Sequence, residues 1–355
     1  MEALGAYERE RFSRQIAFEK IGEAGQERLL AARVVIFGAG ALGTVAAESL
    51  CRAGVGFLRL VDRDRVELSN LQRQALYDEA DALRRVPKAQ AAAERLSRVN
   101  SRAAIEPVVA HVDSSNVLAL LEGCDLAIDG SDNMELRLLL NEACRKAKIP
   151  WIYGGAIGST GSCMVVPPDR GPCLRCLVLS LPPAGSYRTC ASAGVMGMAT
   201  GIVASVEAAE AIKIIIGTTQ PLRRADSTTQ PLRGVLSFDL WAGAFDVVDL
   251  AADPDCPVCA RGEYPMLEGR REETEAVALC GLDEYQIVPA RRAQVDLGEY
   301  EKRLAPLGKV ERGPFMLGFS GEGIELSLFH DGRAILRAPG GEMEARAAYS
   351  RYVGL

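Results

Sequence analysis

Apolar and polar positions come in alternating blocks along the first half of the chain. Arg33 to Phe37 (RVVIF) is a short apolar run that ends in GAGALG, and Thr44 to Ala53 continues as a helix. The same pattern predicts strands at Phe57 to Val61, Ala104 to Val109, Leu126 to Asp129 and Trp151 to Tyr153. Helices are predicted over residues 86 to 99, Val117 to Glu122 and Asn133 to Ala147. Strands alternating with helices indicate an α/β fold with a doubly wound, mostly parallel sheet. Residues 1 to 30 read as a helical, mostly polar surface arm.

The rhythm then changes. Residues 158 to 192 are rich in Gly, Pro and Cys, which predicts loops and hairpins. A long helix follows over roughly 194 to 216. The hexamer TTQPLR occurs at 218 to 223 and again at 228 to 233, a short duplication expected in a mobile, functionally neutral loop. A polar stretch near 262 to 275 reads as a linker. Residues 276 to 355 read as strand, helix, three strands, helix, with Asp331-Gly332 between two apolar runs as a hairpin signal. The division is therefore 1–265 as the main domain with its arm, 266–275 as linker, and 276–355 as a small α+β module.

Composition narrows the function. A net charge of −6 leaves no basic surplus for neutralising phosphates of a nucleic acid. The N-terminus has no apolar core of a secretory signal. Glu207, Glu210 and Lys213 interrupt the longest apolar stretch, which reads as a buried helix and not a membrane span. Ten cysteines without a signal point to thiols or metal ligands in a reducing compartment, the cytoplasm.

The candidate chemistry begins at Gly38, Gly40 and Gly43, which form G-x-G-x-x-G after a strand and open a helix. Glycines there permit a tight turn and close approach to a nucleotide, whose phosphates the helix N-terminus favours. Asp62 closes the second strand, where a carboxylate accepts hydrogen bonds from ribose hydroxyls. These features do not choose between NAD and ATP. The polar run DRDRVELSNLQRQ does, because Arg73, with Lys88 downstream, suits charge developing on phosphate oxygens. Asp132 follows the strand Leu126 to Asp129 at the sheet edge, where a carboxylate can hold magnesium beside a triphosphate. Taken singly, each such charge is more often a solvated surface group.

RFSRQI at 11 to 16, GAGALG at 38 to 43, VDRDRVELSNLQRQ at 61 to 74, VPKA at 86 to 89 and DGSDN at 129 to 133 resemble the successive motifs of the MoeB/ThiF family. The members of that family are bacterial relatives of ubiquitin-activating enzymes. The resemblance covers residues 8 to about 260 and implies a Rossmann-like adenylation domain. It implies that Gly38, Gly40 and Gly43 line ATP, that Asp62 holds the ribose, and that Asn70, Arg73 and Lys88 contact the phosphates. Asp132 would bind Mg2+, and Arg14 would reach the triphosphate of the neighbouring subunit, which makes the active unit a homodimer. The implied substrate is a small ubiquitin-like sulfur-carrier protein ending in Gly-Gly. Its terminal carboxylate, already ionised at neutral pH, attacks the α-phosphate to give acyl-adenylate and pyrophosphate.

Cys173-x-x-Cys176 and Cys256-x-x-Cys259 could supply tetrahedral zinc, although the long gap between the pairs leaves two unrelated pairs of buried thiols as the alternative. The resemblance includes both pairs and implies one structural Zn2+. Cys190, in RTCASAG, matches a cysteine that family members use for a thioester or acyl-disulfide, the alternative being an idle thiol. Cys51, Cys124, Cys144, Cys163 and Cys280 read as packing residues, and His111 and His330 as surface or neighbouring groups. The 276–355 module is too short for a sulfur-supplying rhodanese domain, so a separate protein would donate sulfur. Three competing readings are an adenylating tRNA-modifying dehydratase-like enzyme, an NAD-dependent oxidoreductase and a non-catalytic scaffold. The acidic charge opposes the first, Arg73, Lys88 and Asp132 oppose the second, and the full set of catalytic positions opposes the third.

Overall fold

The computed structural model describes residues 4–178, 194–217, 231–268, 275–278, 284–289, 295–313 and 316–354. The chain divides into two compact units, with the change at residues 269 and 270. Cys190, Cys280 and most of the TTQPLR duplication lie outside the described residues.

The larger unit begins with a helical arm, α1 (Ala6–Arg11), α2 (Ser13–Ile16) and α3 (Gly22–Ala31). There follow β1 (Arg33–Phe37), α4 (Ala41–Ala53), β2 (Phe57–Val61), α5 (Glu79–Arg84), α6 (Lys88–Val99) and β3 (Ala104–Val108). Next come α7 (Val117–Leu121), β4 (Leu126–Asp129), α8 (Met134–Ala147), β5 (Trp151–Ile157), β6 (Thr160–Val166) and α9 (Leu174–Leu177). A 20-residue helix, α10 (Gly197–Ile216), and the strands β7 (Val235–Asp239) and β8 (Ala244–Val248) complete the unit. The eight strands lie in the order β3-β2-β1-β4-β5-β6-β7-β8. Strands β1 to β5 pair in parallel, and β5 to β8 pair antiparallel.

The central strands are apolar throughout because helices cover both faces of a parallel sheet. Val34, Val35, Ile36 and Phe37 of β1 are all fully buried, each such side chain contributing roughly 1.5–3 kcal/mol. β5 runs four residues past its predicted end at Tyr153, because Gly154 and Gly155 broke the apolar run without breaking the strand. The pair β7–β8 carried no such signal: every residue of β8 is exposed, so no alternation marks it.

The smaller unit has its own core, built around Leu317, Phe319, Leu328, Leu336, Tyr349 and Tyr352. Its elements are β9 (Glu275–Ala278), β10 (Glu284–Val288), α11 (Leu297–Leu304), β11 (Lys309–Arg312), β12 (Met316–Gly321), β13 (Ile324–Phe329), β14 (Ala334–Arg337) and α12 (Glu342–Tyr352). The sheet order is β11-β12-β13-β14-β10-β9, so six strands replace the four expected. β11 (KVER) is a polar edge strand without the period-two pattern that betrays a strand. The hairpin read from Asp331-Gly332 is present as the antiparallel pair β13–β14.

Candidate active site

The strand order places a topological switch point between β1 and β4, whose chain connections leave in opposite directions. Phe37 and Asp129 are register partners there, so the loops after the two strands lie side by side. Both loops are glycine because they nearly touch. A Cβ on Gly43 would stand 1.8 Å from the Gly38 carbonyl oxygen, and one on Gly130 would stand 2.4 Å from the same atom. Gly38 also holds φ at +95°, a conformation costly to any other residue. Gly40 differs: the nearest atom to its Cβ would be 3.7 Å away. Its surroundings are open, at the N-cap of α4, where unpaired N–H groups and the helix dipole favour an anion.

Charge is arranged around this opening. The Ala39 N–H donates to Asp62 Oδ2 at 2.7 Å, and the Asp64 N–H donates to Asp62 Oδ1 at 2.7 Å. Burial, then the neighbouring Asp64 charge, hold the Asp62 carboxyl above the usual carboxylate range. Lys88, at the start of α6, donates from Nζ to Asp64 at 3.2 Å. Burial works against both charges of that pair. The Asp64 and Asp62 carboxylates outweigh it at Lys88, which stays protonated, and Lys88 outweighs it at Asp64, which lies below the usual range. The Asp132 charge also acts on Lys88. Asp132 itself is exposed on the loop after β4. A cation and three carboxylates thus face one helix N-terminus, a donor set suited to a magnesium-bound triphosphate.

Asn70 and Arg73 sit on the turn after β2. Asn70 is buried and caps a short 3-10 helix, its Oδ1 accepting from the Glu67 N–H at 3.1 Å. Arg73 donates to the Ser69 carbonyl at 3.0 Å. Beside it, Gln74 is buried with Oε1 unpartnered.

Arg14 is not brought to this opening. The neighbouring Gln15 donates to Gln26 Oε1 and to the Ala53 carbonyl at the C-terminal end of α4. Gly40 is at the other end of the same helix, about 20 Å away at 1.5 Å per residue.

The loop after β4 is held from behind by residues that the sequence motifs did not flag. Arg137 of α8 donates to Asp129 Oδ2 at 2.7 Å, to the Ser131 carbonyl at 2.6 Å and to the Gly154 carbonyl at 2.8 Å. Ser131 Oγ donates to Asp129 Oδ1 at 2.6 Å. Glu207 of α10 lies fully buried opposite Gly154, with neither carboxyl oxygen paired. Burial, then the Asp129 charge, push its pKa well up, so it keeps its proton. Tyr77 donates to the Ala39 carbonyl at 2.6 Å and so pins the glycine loop itself. The one sequence signal for this scaffold was the DGSDN run, which contains Asp129, Gly130 and Ser131 but read only as a position for Asp132.

Far along the chain from one another, Cys173, Cys176, Cys256 and Cys259 converge with all four sulfurs within 4.8 Å. Cys173 and Cys256 Sγ are 3.7 Å apart, and Cys176 and Cys259 Sγ are 3.4 Å apart. Those spacings are too long for disulfides and match the roughly 3.8 Å edge of a tetrahedron with 2.3 Å metal–sulfur bonds. Burial pushes the Cys173 thiol up to about 11, so a thiolate there needs a cation to stabilise it. The four residues therefore fit a tetrahedral divalent ion. Cys51, Cys124, Cys144 and Cys163 are buried in the core, as their apolar surroundings implied.

The sequence model of the ThiF family matches residues 12–258. The chain belongs to the ThiF family. It is 37% identical over 348 residues to the sulfur carrier protein ThiS adenylyltransferase of Bacillus subtilis, covering 97% of this chain and 99% of that one. It is 38% identical to the molybdopterin-synthase adenylyltransferase of Escherichia coli, covering 74% of this chain and all of that one. In structure it resembles E. coli MccB determined with ATP, with a TM-score of 0.59 at 22% identity, covering 72% of this chain and 76% of that one. That likeness shows the shared fold. As a ThiF-family adenylyltransferase the chain uses ATP, which decides the nucleotide that the glycine loop alone left open. No helix among the described residues is long and apolar enough to cross a membrane.

Proposed function

We propose that this enzyme adenylates the C-terminal carboxylate of a small ubiquitin-like sulfur-carrier protein ending in Gly-Gly. The observation that carries the reading is the open N-terminus of α4 at Gly40, with Asp62 bonded to the Ala39 N–H and Lys88 paired with Asp64 on the β2 side, and Asp132 on the loop after β4. Gly38, Gly40 and Gly43 admit the phosphates, Asp62 takes the ribose hydroxyls, and Asn70, Arg73 and Lys88 bind the phosphate oxygens. Asp132 holds Mg2+, which would neutralise charge on the departing oxygens. A carrier carboxylate oxygen attacks the α-phosphorus, the bond to the bridging oxygen breaks, and pyrophosphate leaves. No general base is required, because the acid is already ionised.

Gln15, next to Arg14, is held at the far end of α4, about 20 Å along the helix from Gly40. This supports delivery of Arg14 to the site of a second subunit in a homodimer. The tetracysteine cluster holds one structural Zn2+, and a need for reduced thiols there supports a cytoplasmic location. Cys190 supplies the second stage: its thiolate attacks the adenylate carbonyl, a thioester forms and AMP leaves; a sulfur nucleophile on a separate protein then attacks the thioester carbonyl and Cys190 leaves as thiolate. The match to the ThiS adenylyltransferase runs through both units, whereas the molybdopterin-synthase enzyme aligns with 74% of the chain. This favours a carrier of the ThiS kind.

ATP–pyrophosphate exchange, measured with each Gly-Gly carrier of the same organism, tests the reading. Exchange should require a carrier and vanish when its last two glycines are removed. Exchange that is absent with every carrier refutes it.

A further inference from the structure

Three polar side chains stand one turn apart along α8: Arg137, Asn141 and Arg145. Their i, i+4, i+8 spacing puts them on one stripe of the helix. Arg137 grips the loop after β4 through Asp129 and the Ser131 carbonyl. Asn141 points at the thiolate cluster. Its Oδ1 accepts from the Leu174 N–H at 2.9 Å, which fixes the amide orientation and aims Nδ2 at Cys173 Sγ, 3.5 Å away. Arg145 donates to the Cys259 carbonyl at 2.8 Å and to the Arg170 carbonyl at 3.1 Å. The helix begins at Met134, two residues after Asp132, and Asn133 caps it by accepting from the Glu135 N–H at 2.8 Å. One rigid segment, about 12 Å from Arg137 to Arg145, therefore joins the cluster to the loop that carries the magnesium carboxylate.

We propose that α8 couples the two sites, with Asn141 and Arg145 as positioning residues for a metal in the cysteine cluster, so that metal and nucleotide bind more tightly together than apart. The proposal rests on the zinc and adenylation readings above. Asn141 donates to a sulfur that would otherwise carry its charge unsupported, while Arg145 ties down the backbone of a second cysteine. Partners of this kind tune metal affinity about 10- to 100-fold. With the cluster closed, the base of α8 is fixed and Arg137 holds Gly130 and Ser131 in register with Gly38. With the cluster open, the helix loses two of its anchors and the loop gains freedom that nucleotide binding must remove. Linkage requires that each ligand strengthens the other by the same factor.

The test uses the full chain, zinc competed against a chromophoric chelator, and a non-hydrolysable ATP analogue with Mg2+. The zinc-loaded protein should bind the analogue about 5-fold or more tightly than the zinc-free protein, and the analogue should raise zinc affinity by that same factor. Asn141→Asp keeps the acceptor for Leu174 but replaces the donor facing Cys173 with an anionic oxygen. It should weaken zinc by at least about 10-fold, with analogue affinity poor at limiting zinc and restored at saturating zinc. A purely structural lesion would not be rescued by zinc. If circular dichroism shows that variant unfolded, Arg145→Met carries the same comparison. Zinc affinities equal to wild type in both variants overturn the positioning role, and equal analogue affinity with and without zinc overturns the coupling. Wild-type protein that binds zinc but no nucleotide refutes the adenylation reading, while the zinc affinities still decide the role of Asn141. Protein that takes up no zinc overturns the zinc reading and this proposal together.

Discussion

Gly130→Ala tests the crevice with a single methyl group. That Cβ would stand 2.4 Å from the Gly38 carbonyl oxygen, 2.8 Å from Gly43 Cα and 3.0 Å from Gly43 N. All three are backbone atoms, so none can rotate aside. Ordinary contact for such atoms is about 3.5 Å, and the loops after β1 and β4 must therefore part by about 1 Å. A displacement of that size at a catalytic site costs about 100-fold in rate, equivalent to about 2.7 kcal/mol in the barrier. Overpacking of this kind costs about 1–3 kcal/mol of stability, which a domain of this size tolerates. The assay is the initial rate of ATP–pyrophosphate exchange at varied ATP and fixed carrier, beside thermal melting followed by circular dichroism. Gly40→Ala is the control, since beyond its chain neighbours the nearest atom to its Cβ would be the Gly130 carbonyl oxygen at 3.7 Å. It should melt as wild type does, so any lost rate reports collision with the nucleotide alone. Wild-type kcat/KM in a normally melting Gly130→Ala variant would show that the two glycine loops do not define the phosphate site.

Asp132→Ala removes an exposed carboxylate from a loop whose backbone Arg137 holds, so exchange should fall at least about 100-fold with melting unchanged; exchange near the wild-type rate denies Asp132 its metal. Arg14→Ala and Lys88→Ala should each be inactive alone, and mixing them under proven subunit exchange should restore part of the activity, because a mixed dimer assembles one complete site. Mixtures that stay inactive argue against an arginine supplied by the partner. Burial holds the Glu142 carboxyl up at about 7, while it accepts the Met266 and Leu267 N–H groups at 2.8 and 3.1 Å. The folded state binds that proton more tightly than the unfolded chain, so its stabilisation is full below about pH 4.5 and is lost as pH rises through about 7. Glu142→Gln stays neutral throughout, and its melting temperature should fall less between about pH 5 and about pH 8 than that of wild type. Equal falls in both proteins would remove Glu142 as the source.

Much of the candidate site could be read from the sequence because its residues are short-range. The glycine loop, Asp62, Lys88 and Asp132 each follow directly from the end of a strand or the start of a helix, and strand periodicity places those ends to within a few residues. Local pattern also marked α8, α10 and the Asp331-Gly332 hairpin. It failed at β8 and β11, whose residues are mostly exposed and so carry no alternation. Cysteine spacing was equally silent on its own: 79 residues separate Cys176 from Cys256, and only the folded chain brings the four sulfurs within 4.8 Å.

The amino-acid sequence alone determined the α/β class and the positions of the glycine loop and of the candidate residues Asp62, Lys88 and Asp132, because hydrogen-bonded strands and helices repeat their pattern locally. Only the tertiary structure revealed why Gly130 must be glycine, that Arg137 is the clamp behind Asp132, and that Glu207 is buried with no partner. These facts depend on distances between segments remote in the chain. Gly130 meets Gly38 only because β4 lies beside β1, Arg137 meets Gly154 only because β5 lies beside β4, and no periodicity within a segment records which strands are neighbours.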